Sequence, residues 1–407
     1  MSAAGPPLTS AGALRVGIVA GEHSGDTLGA ALIGALRERV PQLECFGVAG
    51  PKMIAAGCEP WARTEELSVM GLAEVLRHLP RLLKLRSALA ARFRAAHPDV
   101  FVGIDAPEFN LRLARQLKAA GIATVQYVSP QVWAWRQGRV RTIGKSVDLI
   151  LCLLPFETEF YAGYEVRAEF VGHPLADQIP LAPDRTAARA ALDLQGEAGV
   201  VALLPGSRLA EVSRLAEPII VAAARIAQAR PAFRFIAPMA SAESREAFAK
   251  EVAQVPGAPA IRMLDGQAQL ALAAADGAIV ASGTATLETL LSGCPMVVAY
   301  RFSALTAFVI RALGLVKVRY FSQPNLLAGK ALVPEFLQEQ VSGPALADAL
   351  LKQLEEPAKV RELREEFASI HRRLRLGGAA RAADAILRLL GRGGAAVASV
   401  DARAAGL

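Results

Sequence analysis

The chain has 407 residues, of which 53% are hydrophobic and 20% charged, and its formal net charge at pH 7 is +7. This composition excludes an intrinsically disordered chain, and the length favours two globular domains, because single cores rarely serve more than about 250–300 residues. The positive charge suits a phosphorylated partner or an anionic membrane surface, whereas an aromatic content of 6% argues against nucleic acid.

The cysteines and the N-terminal sequence narrow the classes further. Four cysteines are scattered without a C-x-x-C pair, so neither a zinc site nor a disulfide framework is expected, and free thiols are typical of a reducing compartment. The first residues lack the charged region and apolar core of a signal peptide. No uninterrupted apolar run reaches the roughly 18 residues of a membrane-spanning helix.

Short apolar runs alternate with helical patterns along the chain. Strands are predicted near residues 15, 45, 100, 124, 148 and 168, and then near 200, 233, 260, 277 and 296. These runs are continuously apolar, which is typical of parallel strands covered on both faces by helices. Two such blocks predict an α/β fold with two doubly wound, Rossmann-like domains facing a cleft.

The break between the blocks contains three prolines within residues 172–187 and no periodicity, so it is predicted to link the domains. The Gly/Ala-rich end of the chain is expected to be disordered. The predicted division is a flexible N-terminus 1–13, a first domain 14–178, a second domain 179–365, helices 366–391 that pack back on the first domain, and a tail 392–407.

The loop after the first strand reads "GEHSGD" from Gly21 to Asp26. It matches neither a nucleophile elbow, nor a P-loop, nor the dinucleotide-binding fingerprint, because its glycines are four residues apart and no lysine follows. The loop suits either an ordinary strand-to-helix turn, capped by Ser24 or Asp26, or a binding loop.

A later strand, "FVGID", ends at Asp105. Ligands of open α/β sheets bind beyond the carboxyl ends of the strands, so a carboxylate here is well placed to act as a general base. Alternatively, Asp105 is the N-cap of the next helix.

Two glycine-containing turns in the second block resemble anion sites. In "LLPGSR", the amides of Gly206 and Ser207 at a helix N-terminus, with the charge of Arg208, are suited to a phosphate. In "SGTATLE", a second such turn precedes Glu288, whose carboxylate could accept from two ribose hydroxyls or merely complement the helix dipole. The amide of Asn325, after a proline, suits a base, a phosphate or a sugar.

Eight stretches in register together resemble the lipid-A-disaccharide synthase family. The resemblance covers about residues 15–340 and is carried by "AGEHSGD", "GIDAPEFN", "YVSPQVWAWR", "FVGHPLAD", "LLPGSR", "SGTATLE", "CPMVVAYR" and "PNLLAG". It implies an inverting glycosyltransferase of the GT-B type in lipid A biosynthesis, part of lipopolysaccharide formation in the Gram-negative cell envelope. Such an enzyme is cytoplasmic and peripherally associated with the inner membrane.

The resemblance also implies the reaction. The enzyme would transfer 2,3-diacylglucosamine from UDP-2,3-diacylglucosamine to 2,3-diacylglucosamine 1-phosphate, forming the β-1,6-linked disaccharide 1-phosphate and UDP. Asp105 would be the catalytic base, with Glu22 as the second candidate, and Gly21, Ser24 and Gly25 would form the acceptor or phosphate loop.

The remaining implied site binds the nucleotide sugar. Its residues would be Ser207, Arg208, Ser282, Gly283, Thr284, Glu288, Asn325 and Gln338. The sequence has no Asp-x-Asp pair to hold a divalent metal, so we expect no metal and no cofactor. Arg208 and the helix N-termini would stabilise the UDP leaving group instead.

A basic, amphipathic stretch predicts contact with a membrane. Residues 75–98 contain six Arg or Lys and no acidic residue, and residues 301–334 also lack acidic residues. Such segments bind anionic interfaces, although an ordinary buried helix face is the alternative. The apolar residues assigned to membrane or acyl chains are Val69, Met70, Leu72, Leu76, Leu79 and Leu83.

Two other functions share this architecture. A UDP-sugar 2-epimerase would need the UDP site but no lipid-facing segments, and a non-catalytic binding protein would not need Asp105. The expected partners are the two lipid monosaccharides and the inner-membrane surface, without nucleic acid, and a homodimer is compatible with the sequence.

Overall fold

The computed structural model describes residues 13–67, 72–133, 137–164, 166–194, 196, 199–302 and 319–392. Its contacts divide the chain into two compact units. The first unit comprises residues 1–174 and 377–407, and the second comprises residues 175–376.

The described part of the first unit contains a seven-stranded parallel sheet with the order β3-β2-β1-β4-β5-β6-β7. Its strands are β1 (Leu14–Ala20), β2 (Leu43–Ala49), β3 (Cys58–Arg63), β4 (Val100–Ile104), β5 (Ala123–Tyr127), β6 (Leu149–Cys152) and β7 (Ala168–Phe170). The intervening helices are α1 (His23–Arg39), α2 (Pro51–Ala55), α3 (Leu72–Ala96), α4 (Pro107–Lys118), α5 (Val140–Gly144) and α6 (Pro155–Ala162).

Side chains of this sheet enter two cores, one on each face. In β1, Val16 and Ile18 belong to one core, whereas Val19 belongs to the other with Phe93 and Phe101. Successive strand residues point to opposite faces, so a strand buried on both faces must be apolar throughout. This is why the sequence predicted these strands from continuous apolar runs.

The second unit has a six-stranded parallel sheet in its described residues, with the order β10-β9-β8-β11-β12-β13. Its strands are β8 (Gly199–Leu204), β9 (Phe233–Met239), β10 (Ile261–Asp265), β11 (Gly277–Ala281), β12 (Met296–Tyr300) and β13 (Glu335–Leu337). Its helices are α7 (Pro174–Gln178), α8 (Arg185–Ala191), α9 (Leu209–Ala229), α10 (Ala242–Gln254), α11 (Ala268–Ala274), α12 (Thr284–Leu291), α13 (Gln323–Ala328), α14 (Gly343–Glu355) and α15 (Pro357–Leu374).

All the predicted strands are present, but two edge strands were missed. Strand β3, "CEPWAR", is partly exposed and contains Pro60, and strand β13 has only three residues, none of them fully buried. Edge strands tolerate proline and polar residues because one side of their backbone needs no partner, so they lack the apolar signature of central strands.

The last helix, α16 (Gly378–Leu389), belongs to the first unit, where it packs on α1. Its buried residues include Ala382 and Ile386, and Asp384 accepts from Arg39 Nε at 2.5 Å. The sequence placed the return to the first domain at 366 and the earlier boundary after 178. In the structure these boundaries fall at 377 and after 174, because α15 buries Phe367 within the second unit.

Candidate functional site

Each sheet has a topological switch point, where consecutive strands begin to add on the opposite side. It lies between β1 and β4 in the first unit, and between β8 and β11 in the second. Ligands of open α/β sheets bind beyond the carboxyl ends of the strands at this point. The loops that follow β1, β4, β8 and β11 are those that carry most of the predicted site residues.

In the first unit, the loop after β1 lies against the turn after β4. Ala20 pairs with Ile104 in register, so both loops begin at the same level of the sheet. Gly21 is buried, and a Cβ added to it would overlap the Cβ of Ala106. The structure therefore brings the Gly21 loop and the Asp105 turn together, as the proposed site requires.

The polar residues of the first loop have different roles. Glu22 is the exposed N-cap of α1, Ser24 is also exposed, and Gly25 is buried. Asp26 is fully buried and accepts from the amides of Lys52 and Met53 at 3.0 and 2.9 Å. The suggestion that Asp26 caps α1 was wrong, because its carboxylate caps α2 instead.

Asp105 lies just beyond β4 in an unusual backbone conformation. Its φ is 52° and that of Ala106 is 40°, both in the left-handed region that side chains rarely adopt. The N-cap of α4 is Ala106, so the alternative of Asp105 as that N-cap was wrong. Burial raises the pKa of Asp105, while a hydrogen bond from the Ala106 amide acts in the opposite direction. A partly buried carboxylate of raised pKa is suited to accept a proton.

Two residues that the sequence analysis did not assign hold this turn. Asn110 and Gln126 are 0% and 1% exposed. Asn110 Nδ2 and Gln126 Nε2 donate to the main-chain oxygen of Asp105 at 2.8 and 3.1 Å. The available signal was the glutamine in the buried strand β5, whose other residues apart from Thr124 are apolar, since a buried amide requires polar partners.

In the second unit, the turn after β8 that was predicted to bind phosphate is occupied by the carboxylate of Glu211. Gly206 has a φ of 120°. The amides of Ser207 and Arg208 donate to Glu211 Oε2 at 3.0 and 3.3 Å, and the exposed Arg208 guanidinium lies 3.5 Å from Glu211 Oε1. Of the two amides predicted to bind phosphate, those of Gly206 and Ser207, the Ser207 amide is occupied by Glu211, so an anion that binds there must displace this carboxylate.

The turn after β11 is open. Gly283 and Thr284 are exposed at the N-terminus of α12, and a Cβ on Gly283 would meet no described atom within 4 Å. Ser282 is partly buried and its amide donates to Ala299 O at 2.9 Å. Glu288 is also partly buried, and burial raises its pKa. These four predicted residues share one turn and the helix that follows it.

Asn325 and Gln338 are engaged within the protein. Asn325 is 1% exposed, and its Oδ1 accepts from the amides of Leu332 and Val333, both at 2.8 Å, while its Nδ2 donates to Val333 O. Gln338 Oε1 accepts from the Phe302 amide at 2.5 Å. The side chain of Asn325 thus joins α13 to the following loop, and its assignment to nucleotide binding stays a prediction. The oxygen of Gln338 is likewise occupied.

The family is decided by comparison with known proteins. Residues 16–386 match the family model described as Lipid-A-disaccharide synthetase. The chain belongs to the lipid-A-disaccharide synthase family. It is 53% identical over 383 residues to the lipid-A-disaccharide synthase of Alkalilimnicola ehrlichii, which covers 94% of this chain and 100% of that protein. The synthase of Yersinia pestis is 48% identical and covers 96% of this chain and 97% of that protein.

The fold is the GT-B fold of glycosyltransferases. The calicheamicin glycosyltransferase CalG4 superposes with a TM-score of 0.55 at 17% identity, covering 93% of this chain and 99% of that chain. A putative UDP-N-acetylglucosamine 2-epimerase from Listeria monocytogenes gives 0.60 at 13% identity, covering 92% and 95%. The epimerase likeness shows a shared fold, whereas the family match makes this chain a glycosyltransferase of lipid A biosynthesis.

The residues assigned to membrane contact lie in and before α3. Val69 and Met70 are outside the described residues, as are the side chains of Leu72 and Leu76. Leu79 and Leu83 are 40% and 38% exposed. The alternative of a buried helix face was wrong for these two leucines. Residues 303–318 of the second acid-free segment are also outside the described residues.

The described residues contain no helix with the length and apolar character that crossing a bilayer requires. Within the same residues, no group of three His, Cys, Asp or Glu side chains is arranged to hold a metal ion. The four cysteines are buried and unpaired, and burial raises the pKa of Cys45 to about 12.

Proposed function

We propose that this glycosyltransferase transfers 2,3-diacylglucosamine from UDP-2,3-diacylglucosamine to 2,3-diacylglucosamine 1-phosphate. The products are the β-1,6-linked lipid A disaccharide 1-phosphate and UDP. Family membership over residues 16–386 supports the reaction class. The catalytic assignment rests on one observation: Asp105 is partly buried and lies in a strained backbone conformation at the switch point of the first unit.

Asp105 acts as the general base in this proposal. The primary hydroxyl of the acceptor is a poor nucleophile until its proton leaves. The Asp105 carboxylate accepts that proton as the hydroxyl attacks the anomeric carbon from the face opposite UDP, which inverts the configuration. Burial makes the carboxylate a stronger base than one in water. Glu22 is exposed on the adjoining loop and is the second candidate.

The switch point of the second unit binds the UDP moiety in this proposal. Open amides at Gly283 and Thr284 receive one phosphate, and Glu288 accepts from the ribose hydroxyls. The amides of Ser207 and Arg208 receive the other phosphate once Glu211 has moved. Negative charge on the leaving UDP is then stabilised by amides and the Arg208 guanidinium, and no metal ion takes part.

A single assay tests the reaction. Purified protein is mixed with both lipid monosaccharides, with and without a strong chelator, and the disaccharide and UDP are measured by mass spectrometry. We expect both products in equal amounts, undiminished by the chelator. Loss of activity that magnesium or manganese restores would contradict metal-independent transfer.

The same assay without acceptor separates transfer from epimerisation, which the structural neighbours raise as the alternative. A UDP-sugar 2-epimerase would convert the donor alone into its C2 epimer. We expect the donor to be recovered unchanged when the acceptor is omitted. An epimerised donor and no disaccharide would overturn the proposed function.

Finally, we propose that the chain binds the inner-membrane surface peripherally. The exposed leucines of α3 stand among basic side chains, including Arg81 and Lys84, that can contact anionic headgroups. Both substrates are diacylated, so an enzyme held at the bilayer surface meets them where they reside.

A further inference from the structure

Three strained residues lie at one end of the first sheet. Asp105, Ala106 and Val128 have φ values of 52°, 40° and 75°, and the first two follow β4 while the third follows β5. A residue other than glycine held in this region costs on the order of 1–3 kcal/mol, and a β-branched residue such as Val128 is a genuine outlier. Such conformations persist only where the surroundings enforce them.

Two buried side-chain amides contact the main chain of two of these residues, Asp105 and Val128. Asn110 Nδ2 donates to the main-chain oxygen of Asp105 at 2.8 Å. Gln126 Nε2 donates to the same oxygen at 3.1 Å and to Val128 O at 3.3 Å. The amide of Asp105 donates to Tyr127 O at 3.0 Å. The main chain of Asp105 is thus held at both its N–H and its C=O.

These amides are a poor choice for stability alone. Asn110 Oδ1 and Gln126 Oε1 are buried without a hydrogen-bond partner among the described residues. Such an unsatisfied oxygen costs about 1–3 kcal/mol, which offsets much of what the hydrogen bonds donated by the same side chain contribute to stability. Reversing either amide would direct its oxygen at carbonyl oxygens, so the NH₂ groups must face the turn.

Two glycines make room for this arrangement. A Cβ on Gly103 would lie 2.7 Å from the Cβ of Asn110. A Cβ on Gly21 would overlap Ala106. The close packing of strand β4 against Asn110, and of the Gly21 loop against the strained turn, leaves Asp105 little freedom to relax.

We propose that Asn110 and Gln126 are positioning residues, which aim the carboxylate of Asp105 by holding its main chain in the left-handed conformation. The inference rests on the proposed function, in which Asp105 is the general base. A misplacement of about 1 Å can lower a rate on the order of 10²-fold, so loss of either amide costs turnover although neither touches the substrate.

The test uses Gln126→Met and Asn110→Leu, which keep the approximate volume and remove the donors. We expect kcat to fall about 10- to 100-fold, with KM and UDP affinity little changed. The acid limb of the pH–rate profile should move to lower pH, because a released Asp105 carboxyl gains water and loses the burial that raises its pKa. If Gln126→Met fails to fold, Asn110→Leu gives the same test.

Thr124→Val is the matched control. Thr124 is buried at the other end of the same strand, where its hydroxyl donates to Asp148 Oδ2 at 2.8 Å. This variant also loses a buried hydrogen bond, so its thermal melt should show a comparable destabilisation. Its turnover and pH profile should remain those of the unmodified protein.

A double variant that combines Gln126→Met with Asp105→Asn distinguishes an effect through Asp105 from an effect that is independent of it. A residue that acts through Asp105 should cost nothing further once the carboxylate is gone. An additive loss, or a loss without movement of the acid limb, would overturn the positioning role. The positioning role would also be overturned if Asp105→Asn were inactive while Gln126→Met and Asn110→Leu were as active as Thr124→Val. In that case the assignment of Asp105 as the base would stand. Full turnover in Asp105→Asn would instead refute the base and the positioning role together.

Discussion

At the scale of single residues, the proposed chemistry depends on Asp105. Asp105→Asn is nearly isosteric and cannot accept a proton, so turnover should fall about 10²- to 10⁴-fold while UDP binding persists. Steady-state kinetics and calorimetry measure the two effects. The parallel Glu22→Gln variant should remain active, and an inactive Glu22 variant beside a working Asp105 variant would exchange their roles.

The same substitution has a pH-dependent effect on stability. Burial raises the pKa of Asp105 in the folded protein, so its ionised form disfavours folding at neutral pH. Asp105→Asn should therefore melt at the same or a slightly higher temperature near pH 7. The difference in melting temperature between the variant and the unmodified protein should vanish below the ordinary aspartate pKa, because the Asp105 carboxyl is then protonated in both the folded and the unfolded state. Thermal melts across pH measure this.

Gly21→Ala should disturb the site without a change of charge. The added methyl group would overlap Ala106, so the turn that carries Asp105 must move, and turnover should fall on the order of 10²-fold. Gly34→Ala is the matched control, because a Cβ there meets no described atom within 4 Å and should stabilise α1 by about 0.5–1 kcal/mol. Equal activity of the two variants would mean that the Gly21 loop and the Asp105 turn can move apart without loss of turnover.

Arg208 and Glu211 should have opposite effects on UDP affinity. Arg208→Ala should weaken binding by roughly 1.5–3 kcal/mol, the worth of a charge-assisted contact. Glu211→Gln removes the negative charge that now occupies the amides of Ser207 and Arg208, so UDP should bind more tightly. Isothermal titration calorimetry measures both variants, and weaker binding in Glu211→Gln would show that the carboxylate organises the loop rather than competing with phosphate.

At the scale of secondary-structure elements, α3 changes character along its length. Leu79 and Leu83 are exposed, whereas Leu89 and Phe93 are buried. Replacing both exposed leucines with serine should move the protein from the membrane fraction to the soluble fraction without lowering its melting temperature. Phe93→Ala, by contrast, should destabilise the fold by about 3–5 kcal/mol. Unchanged partition of the double variant would place membrane binding elsewhere.

The sequence predicted elements better than the contacts of polar residues. Central strands were predicted because burial on both faces demands apolar side chains, and the candidate loops were predicted because ligands bind beyond the carboxyl ends of such strands. The identity of a polar residue, however, does not predict which group it will hydrogen-bond. Asp26 and Asn325 are residue types that are common in binding sites, yet their side-chain oxygens accept hydrogen bonds from nearby main-chain amides. The left-handed turn at Asp105 depends on Asn110 and Gln126 from other elements, and no local pattern encodes it.

At the scale of the whole molecule, the first unit is discontinuous in sequence, since residues 377–407 belong with residues 1–174. The helix that completes it, α16, is encoded after the entire second unit. Its Ile386 and Ala382 cover the apolar side of α1 that includes Leu32 and Leu36.

During synthesis the ribosome therefore releases this covering helix only after the whole of the second unit. The nascent first unit carries bare apolar surface while the second unit, continuous in sequence, is being translated, about 10–40 s at 5–20 residues per second. The second unit can therefore finish folding while the first still awaits α16, whereas N-terminal domains generally fold first.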